Sequence, residues 1–146
     1  MDGEGSAMKA SLTHLGNMKF EGRAEGAPPI VLHAPPKGTA KEGPSPVQAA
    51  LLAAMACTAS DVVWILQKER APLASLEVSA DAERAAEEPR VFTKMHFHFR
   101  VRGDGVRESD VKRAIDLSMA KYCSVGILFA RGGVAWTNTF EILPER

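Results

Sequence analysis

Between Ser45 and Pro72 the chain carries a stretch that has to become one long helix covered on nearly every side. Ser45 stands as N-cap with Pro46 in the first helical position, where the serine oxygen accepts an orphan amide and the proline, lacking an N–H, leaves none unpaired. Lys68, Glu69 and Arg70 charge the last turn and Pro72 stops it. At about 1.5 Å per residue the helix runs roughly 35 Å, long for a small domain. From Val47 to Leu66 it is built largely from Ala, Leu, Val and Ile, with apolar side chains all round the axis instead of on one stripe. A single sheet covers only one side of such a helix. The expected solution is a homodimer in which two copies of the helix are sandwiched together, with Ala50, Ala53, Ala54 and Ala56 permitting close approach.

The same stretch approaches the length of a membrane span. Asp61 argues against that use, because an Asp at mid-span costs about 2.5–3.5 kcal/mol on insertion scales. Gln48, Thr58 and Ser60 point the same way, so a core helix is expected and no membrane partner.

The rest of the chain reads as strands around that helix and a second one. Lys9 to Leu15, Met18 to Ala24 and Ile30 to His33 are short extended runs separated by Gly16-Asn17 and by Gly26-Ala27-Pro28-Pro29, a three-strand meander. Leu76, Val78, Ala80 and Ala82 alternate with Glu77, Ser79, Asp81 and Glu83. Across a turn at Glu87 to Pro89, Val91 to Val101 alternate apolar residues with Lys94, His96, His98 and Arg100. The two polar faces are opposite in sign, as an antiparallel hairpin favours. Ser109, or Asp110 beside it, is expected to cap the second helix, which carries Val111, Ala114, Ile115, Ser118, Met119 and Tyr122 at helical spacing and ends at Cys123. Gly132-Gly133 leads into a last strand, Val134 to Leu143. The class is α+β, with strands in groups of three, two and one.

A chain of 146 residues is expected to form one domain, residues 1–146, long enough to bury a core without a metal or a cross-link. Residues 1–7 read as a flexible, acidic, Gly-rich leader and not as a signal peptide, which places the protein in the cytoplasm. Lys plus Arg and Asp plus Glu are equal at 18 each, with no long basic run, so no nucleic-acid partner is expected. In a reducing compartment a disulfide, where one forms, is usually catalytic or redox-sensing.

That leaves the two cysteines. Cys57 lies in the middle of the long helix with Asp61 one turn on. Taken alone it reads either as a small core hydrophobe, the usual fate of a free cysteine, or as a reactive thiol. A mid-helix position gains nothing from the helix dipole, and a carboxylate nearby disfavours a thiolate.

The wording around both thiols carries more. The segment GPSPVQAALLAAMACTASDVVWILQKER, followed by LSMAKYCSVGIL, resembles the OsmC/Ohr superfamily of peroxide-reducing proteins, most closely its OsmC-like subgroup. The resemblance runs from about Lys9 to Leu143. It implies an OsmC-like fold: an intertwined homodimer with two long central helices flanked by antiparallel sheets, and two sites at the subunit interface. It further implies that Cys57 is the peroxidatic thiol, that Cys123 is the resolving thiol and that the two are close in space. By the same resemblance the substrate is a small apolar hydroperoxide, the reductant is an external thiol or dihydrolipoyl group, and no metal or flavin cofactor is required.

The sequence departs from the family's peroxidases in two places. Those proteins carry a Glu just after the helix-start proline and an Arg in an N-terminal loop, which together activate the thiolate. Here the helix opens Pro46-Val47-Gln48 and the first strand turn is Gly16-Asn17. Candidate replacements are Arg23, Lys37, Lys41 and Glu42, with Asp61 and Gln48 as supporting residues. The alternative is an OsmC-like dimer without efficient peroxidase activity, which binds an apolar ligand or senses redox state. His96 and His98 read as partners of acidic residues on the hairpin rather than as a zinc site, and His14 and His33 as isolated. Trp64 and Trp136 read as interface or core anchors, Tyr122 as packing, and Asp61 as bonded to backbone or to the partner subunit.

Overall fold

The computed structural model describes residues 6–146. The leader expected over residues 1–7 therefore lies mostly outside the described residues. Tertiary contacts divide the chain into two compact units, the first ending at Leu51 and the second running Leu52–Arg146.

In the first unit, β1 (Ala10–His14), β2 (Lys19–Ala24) and β3 (Ile30–His33) form the expected antiparallel meander in the order β1-β2-β3. His33, expected to be isolated, is instead a buried tie. The Glu42 backbone N–H donates to its Nδ1 at 2.9 Å, which leaves Nε2 to carry the proton that it donates to Asn17 O at 3.2 Å. One neutral imidazole thus joins the first strand turn to the loop before the long helix, α1 (Pro46–Lys68).

The start of α1 follows its sequence signal closely. Ser45 Oγ accepts the Gln48 N–H at 3.1 Å, and Gln48 Oε1 accepts the Ser45 N–H at 2.9 Å, a reciprocal capping box.

In the second unit, β4 (Ser75–Arg84) pairs antiparallel with β5 (Phe92–Arg102), and β5 pairs parallel with β6 (Ala135–Leu143). The last strand thus completes a three-stranded sheet, where the sequence reading had a hairpin and a separate strand. Parallel pairing needs a long crossover. It is supplied by α2 (Glu108–Leu117), a π-helical turn (Ser118–Tyr122) and α3 (Ser124–Arg131). The expected second helix is therefore two helices with a wide turn between them. Gly133, at φ 97°, turns the chain from α3 into β6 in a conformation that a side chain would strain.

Period-two alternation on β5 buries Met95, Phe97, Phe99 and Val101, and α2 adds Val111, Ala114 and Ile115 to the same core. Arg107, not Ser109 or Asp110, is the N-cap of α2, and no side chain caps it. Asp110 sits in the first turn, paired with Arg107 and Arg113. On the polar face of the sheet, His96 bonds Thr137 and Thr139 while His98 bonds Thr139 and Glu141. Both histidines thus look to β6, not to the acidic residues of β4, because the parallel register sets small hydroxyls directly beside them.

Within the second unit α1 buries Ala54, Thr58, Val62, Ile65 and Leu66. The opposite side stays open, with Leu52 at 52 % and Trp64 at 56 % exposure. The helix is long and apolar enough to cross a membrane by length and composition.

Candidate functional site

Four hydrogen bonds tie the middle of α1 to the α2–π-turn–α3 crossover, and both cysteines lie among them. Ser118 Oγ donates to Asp61 Oδ2 at 2.8 Å. Because that uses the only hydroxyl proton of Ser118, the Thr58 hydroxyl donates in turn to Ser118 Oγ, also at 2.8 Å. Thr58 and Ser118 are wholly buried. Cys57 Sγ lies 3.9 Å from Ser124 Oγ, and Cys123 Sγ lies 4.0 Å from Ala54 O.

Cys123, expected at the end of the second helix, sits at the N-cap of α3. Its sulfur accepts the Gly126 N–H at 3.3 Å, and its own N–H donates to Ser118 O at 2.8 Å across the π-turn. Both thiols are free. The Ser124 hydroxyl stands beside Cys57 and the Gly126 amide donates to Cys123.

Burial dominates the electrostatics of Cys123 and pushes its thiol up to about 12. The Gly126 N–H works against this, while Cys57 and the Asp61 carboxylate add to the rise. A raised thiol has a defined consequence for stability. The unfolded chain ionises near 9 while the folded chain holds its proton, so the contribution is complete below about pH 9 and is lost as pH rises toward about 12. Thermal midpoints measured between pH 8 and 11 are expected to fall more steeply for the natural protein than for Cys123→Ala, and parallel curves would contradict this.

Close packing around Cys123 depends on Gly126. A Cβ there would stand 2.5 and 2.8 Å from two ring carbons of Trp136 and 2.9 Å from Cys123 Sγ. Trp136 is buried, with its ring edge-on to Phe97 at 6.1 Å, and has little room to retreat. Gly126→Ala is expected to cost about 1–3 kcal/mol through overpacking, offset by at most about 1 kcal/mol of helix preference. A lowered urea midpoint is the expected result; a raised one would contradict this packing.

The remaining candidates from sequence belong to the first unit. Arg23 pairs with Glu21 at 2.7 Å, and Glu42 with Lys19 at 3.3 Å. Lys41 donates to the Gln48 side chain, which also serves the capping box. Lys37 is an exposed residue of the loop before α1. Of the named residues, the second unit gathers Cys57, Cys123 and Asp61. Asp61 bonds a side chain, Ser118, where backbone or a partner subunit had been expected. As residues around the thiols, Thr58, Ser118, Ser124 and Gly126 are not marked by the sequence, whereas Trp136 is the buried anchor that the sequence suggests. By spacing Ser118 falls on the apolar face of the second helix, and its polarity there is the one available signal.

A fold of this topology has known counterparts. A family model described as OsmC-like protein matches residues 38–137, and the chain belongs to that family. Protein YhfA of Escherichia coli K12 is 35% identical over 136 residues, which cover 93% of this chain and 98% of YhfA. The crystal structure of an OsmC-like protein from Mycoplasma pneumoniae superposes with a TM-score of 0.80 at 17% identity, over 98% of this chain and 99% of that one. An organic hydroperoxide resistance protein from Elizabethkingia anophelis gives a TM-score of 0.71 at 15% identity, over 97% and 99%. At these identities the two structures establish the shared fold.

Proposed function

We propose that this protein is a thiol-dependent reductase of organic hydroperoxides, with Cys57 as peroxidatic and Cys123 as resolving cysteine. The observation that supports it best is the 3.9 Å approach of Ser124 Oγ to Cys57 Sγ, which sets the residue next to Cys123 against the first thiol. In the first step the Cys57 thiolate attacks the terminal oxygen of the hydroperoxide. The O–O bond breaks, the leaving alkoxide takes up the proton that the thiol gave up on ionising and departs as the alcohol, and Cys57 becomes a sulfenic acid. In the second, the Cys123 sulfur attacks the Cys57 sulfur; the S–O bond breaks, water leaves with the Cys123 proton, and a disulfide forms. Two thiol groups of an external reductant, dithiol or monothiol, then restore both cysteines. The cycle calls for no metal or flavin.

Disulfide closure requires both sulfurs to exchange partners, Cys57 leaving Ser124 and Cys123 leaving the Gly126 amide. The exposed side of α1 supports a homodimer: a groove of about 720 Å³, lined by apolar Ala59, Val63, Trp64 and Leu73 and by polar Ser60 and Gln67, lies along it and offers a seat for a second copy of the helix. In this reading the two units act together as one OsmC-like domain, and the protein works in the cytoplasm.

A hydroxyl, not a cation, is the hydrogen-bond partner of Cys57, and this favours a second reading: a redox-sensing or apolar-ligand-binding dimer whose thiol reacts slowly. Mass spectrometry after one equivalent of cumene hydroperoxide separates the two. A Cys57–Cys123 disulfide formed far faster than a free thiol oxidises supports the reductase. Oxidation no faster than that of a free thiol leaves the second reading.

A further inference from the structure

Ser118 is bonded at both ends. Its hydroxyl is held by Asp61 and Thr58 of α1, and its carbonyl accepts the Cys123 N–H five residues on. That second bond is what makes the segment a π-turn, since an α-turn would pair Cys123 N–H with Met119 O. A π-turn is a rare element found mostly as a single turn, and here it is stitched to α1 by two hydrogen bonds of 2.8 Å, one buried and one partly buried. Its C-terminal neighbour is the N-cap of α3, so the stitching fixes where the chain that bears Cys123 leaves the turn.

We propose that Asp61, Thr58 and Ser118 are a positioning clamp that holds the π-turn on α1 and so sets the path by which Cys123 Sγ reaches a Cys57 sulfur that carries a leaving group. The inference rests on reading Cys57 and Cys123 as the reacting pair. None of the three clamp residues bonds the Cys57 sulfur, whose partner is Ser124. The clamp therefore acts on the second step, attack by Cys123, and not on the first.

An activated pyridyl disulfide tests this without a peroxide. Cys57 thiolate displaces one pyridinethione and becomes a mixed disulfide; Cys123 then attacks the Cys57 sulfur, releasing a second pyridinethione and closing the protein disulfide. The two releases give two phases. Ser118→Ala is expected to leave the first phase unchanged and to slow the second by about tenfold or more, the scale on which small misplacements act; Asp61→Ala, which also removes a carboxylate that acts on the thiols, is expected to slow the second phase relative to the first. Asp61→Asn, whose amide oxygen still accepts from Ser118, is expected to recover most of the wild-type rate. Thr58→Val keeps the shape of the site and carries the same expectation as Ser118→Ala, should that variant fail to fold. A merely structural role would lower thermal midpoints without changing the ratio of the phases. A second phase as fast in folded Asp61→Ala or Thr58→Val as in the wild type overturns the clamp. A wild type that closes its disulfide here but is inert to cumene hydroperoxide overturns only the peroxidase reading. One that releases a single pyridinethione overturns both.

Discussion

Cys57→Ser is expected to reduce hydroperoxide consumption to the uncatalysed rate, the largest effect of any single substitution in this protein. A serine hydroxyl is not ionised near neutral pH and cannot hold the transferred oxygen, so the first step is removed outright. Cys123→Ser is expected to behave differently. The first turnover proceeds, but the sulfenic acid on Cys57 has no thiol to condense with and climbs to sulfinic acid as hydroperoxide is added. A dimedone adduct found by mass spectrometry on Cys57 in Cys123→Ser, and absent from Cys57→Ser, is the expected pattern. The reverse would exchange the two roles. Burial agrees with the assignment as proposed: Cys123 is wholly buried and held protonated, whereas Cys57 is partly accessible.

Phe97→Ala is expected to cost about 3–5 kcal/mol, as removal of a large buried aromatic usually does. Phe97 is fully buried at the middle of β5, in register with Ala80 of β4 and Asn138 of β6, and its ring meets Trp136 edge-on. Against a total stability of about 5–15 kcal/mol for a single domain, such a loss is large. It also reaches the site, because Trp136 is the ring packed against Gly126 beside Cys123. Urea unfolding is expected to show a lowered midpoint with an unchanged slope, together with faster alkylation of Cys123. A midpoint within error of the wild type would contradict this account of the core.

Much of the architecture was legible from local patterns. The α1 start was written in Ser45, Pro46 and Gln48, and the meander in its turn residues, because a cap or a turn is satisfied by neighbours a few residues away. Alternation on β5 marked its buried face for the same reason. The crossover was harder. Val111, Ala114, Ile115, Ser118 and Met119 keep helical spacing straight through the end of α2, and side-chain spacing does not distinguish an α-turn from the π-turn that follows. The break at Cys123 was therefore missed, and with it the separate helix α3. The place of β6 was missed too, since a strand's sequence marks its faces and not its neighbours.

By itself the sequence determined the strands, the long apolar helix with its open flank, the start of the second helix, the family and the two thiols, since each rests on residues near one another in the chain or on a motif. Only the tertiary structure decided what surrounds those thiols. Ser118 meets Asp61, Ser124 meets Cys57 and Cys123 meets Ala54 across 57 to 69 residues of chain. Contacts of that range depend on the crossover, the π-turn and the parallel seating of β6, and no local spacing encodes them.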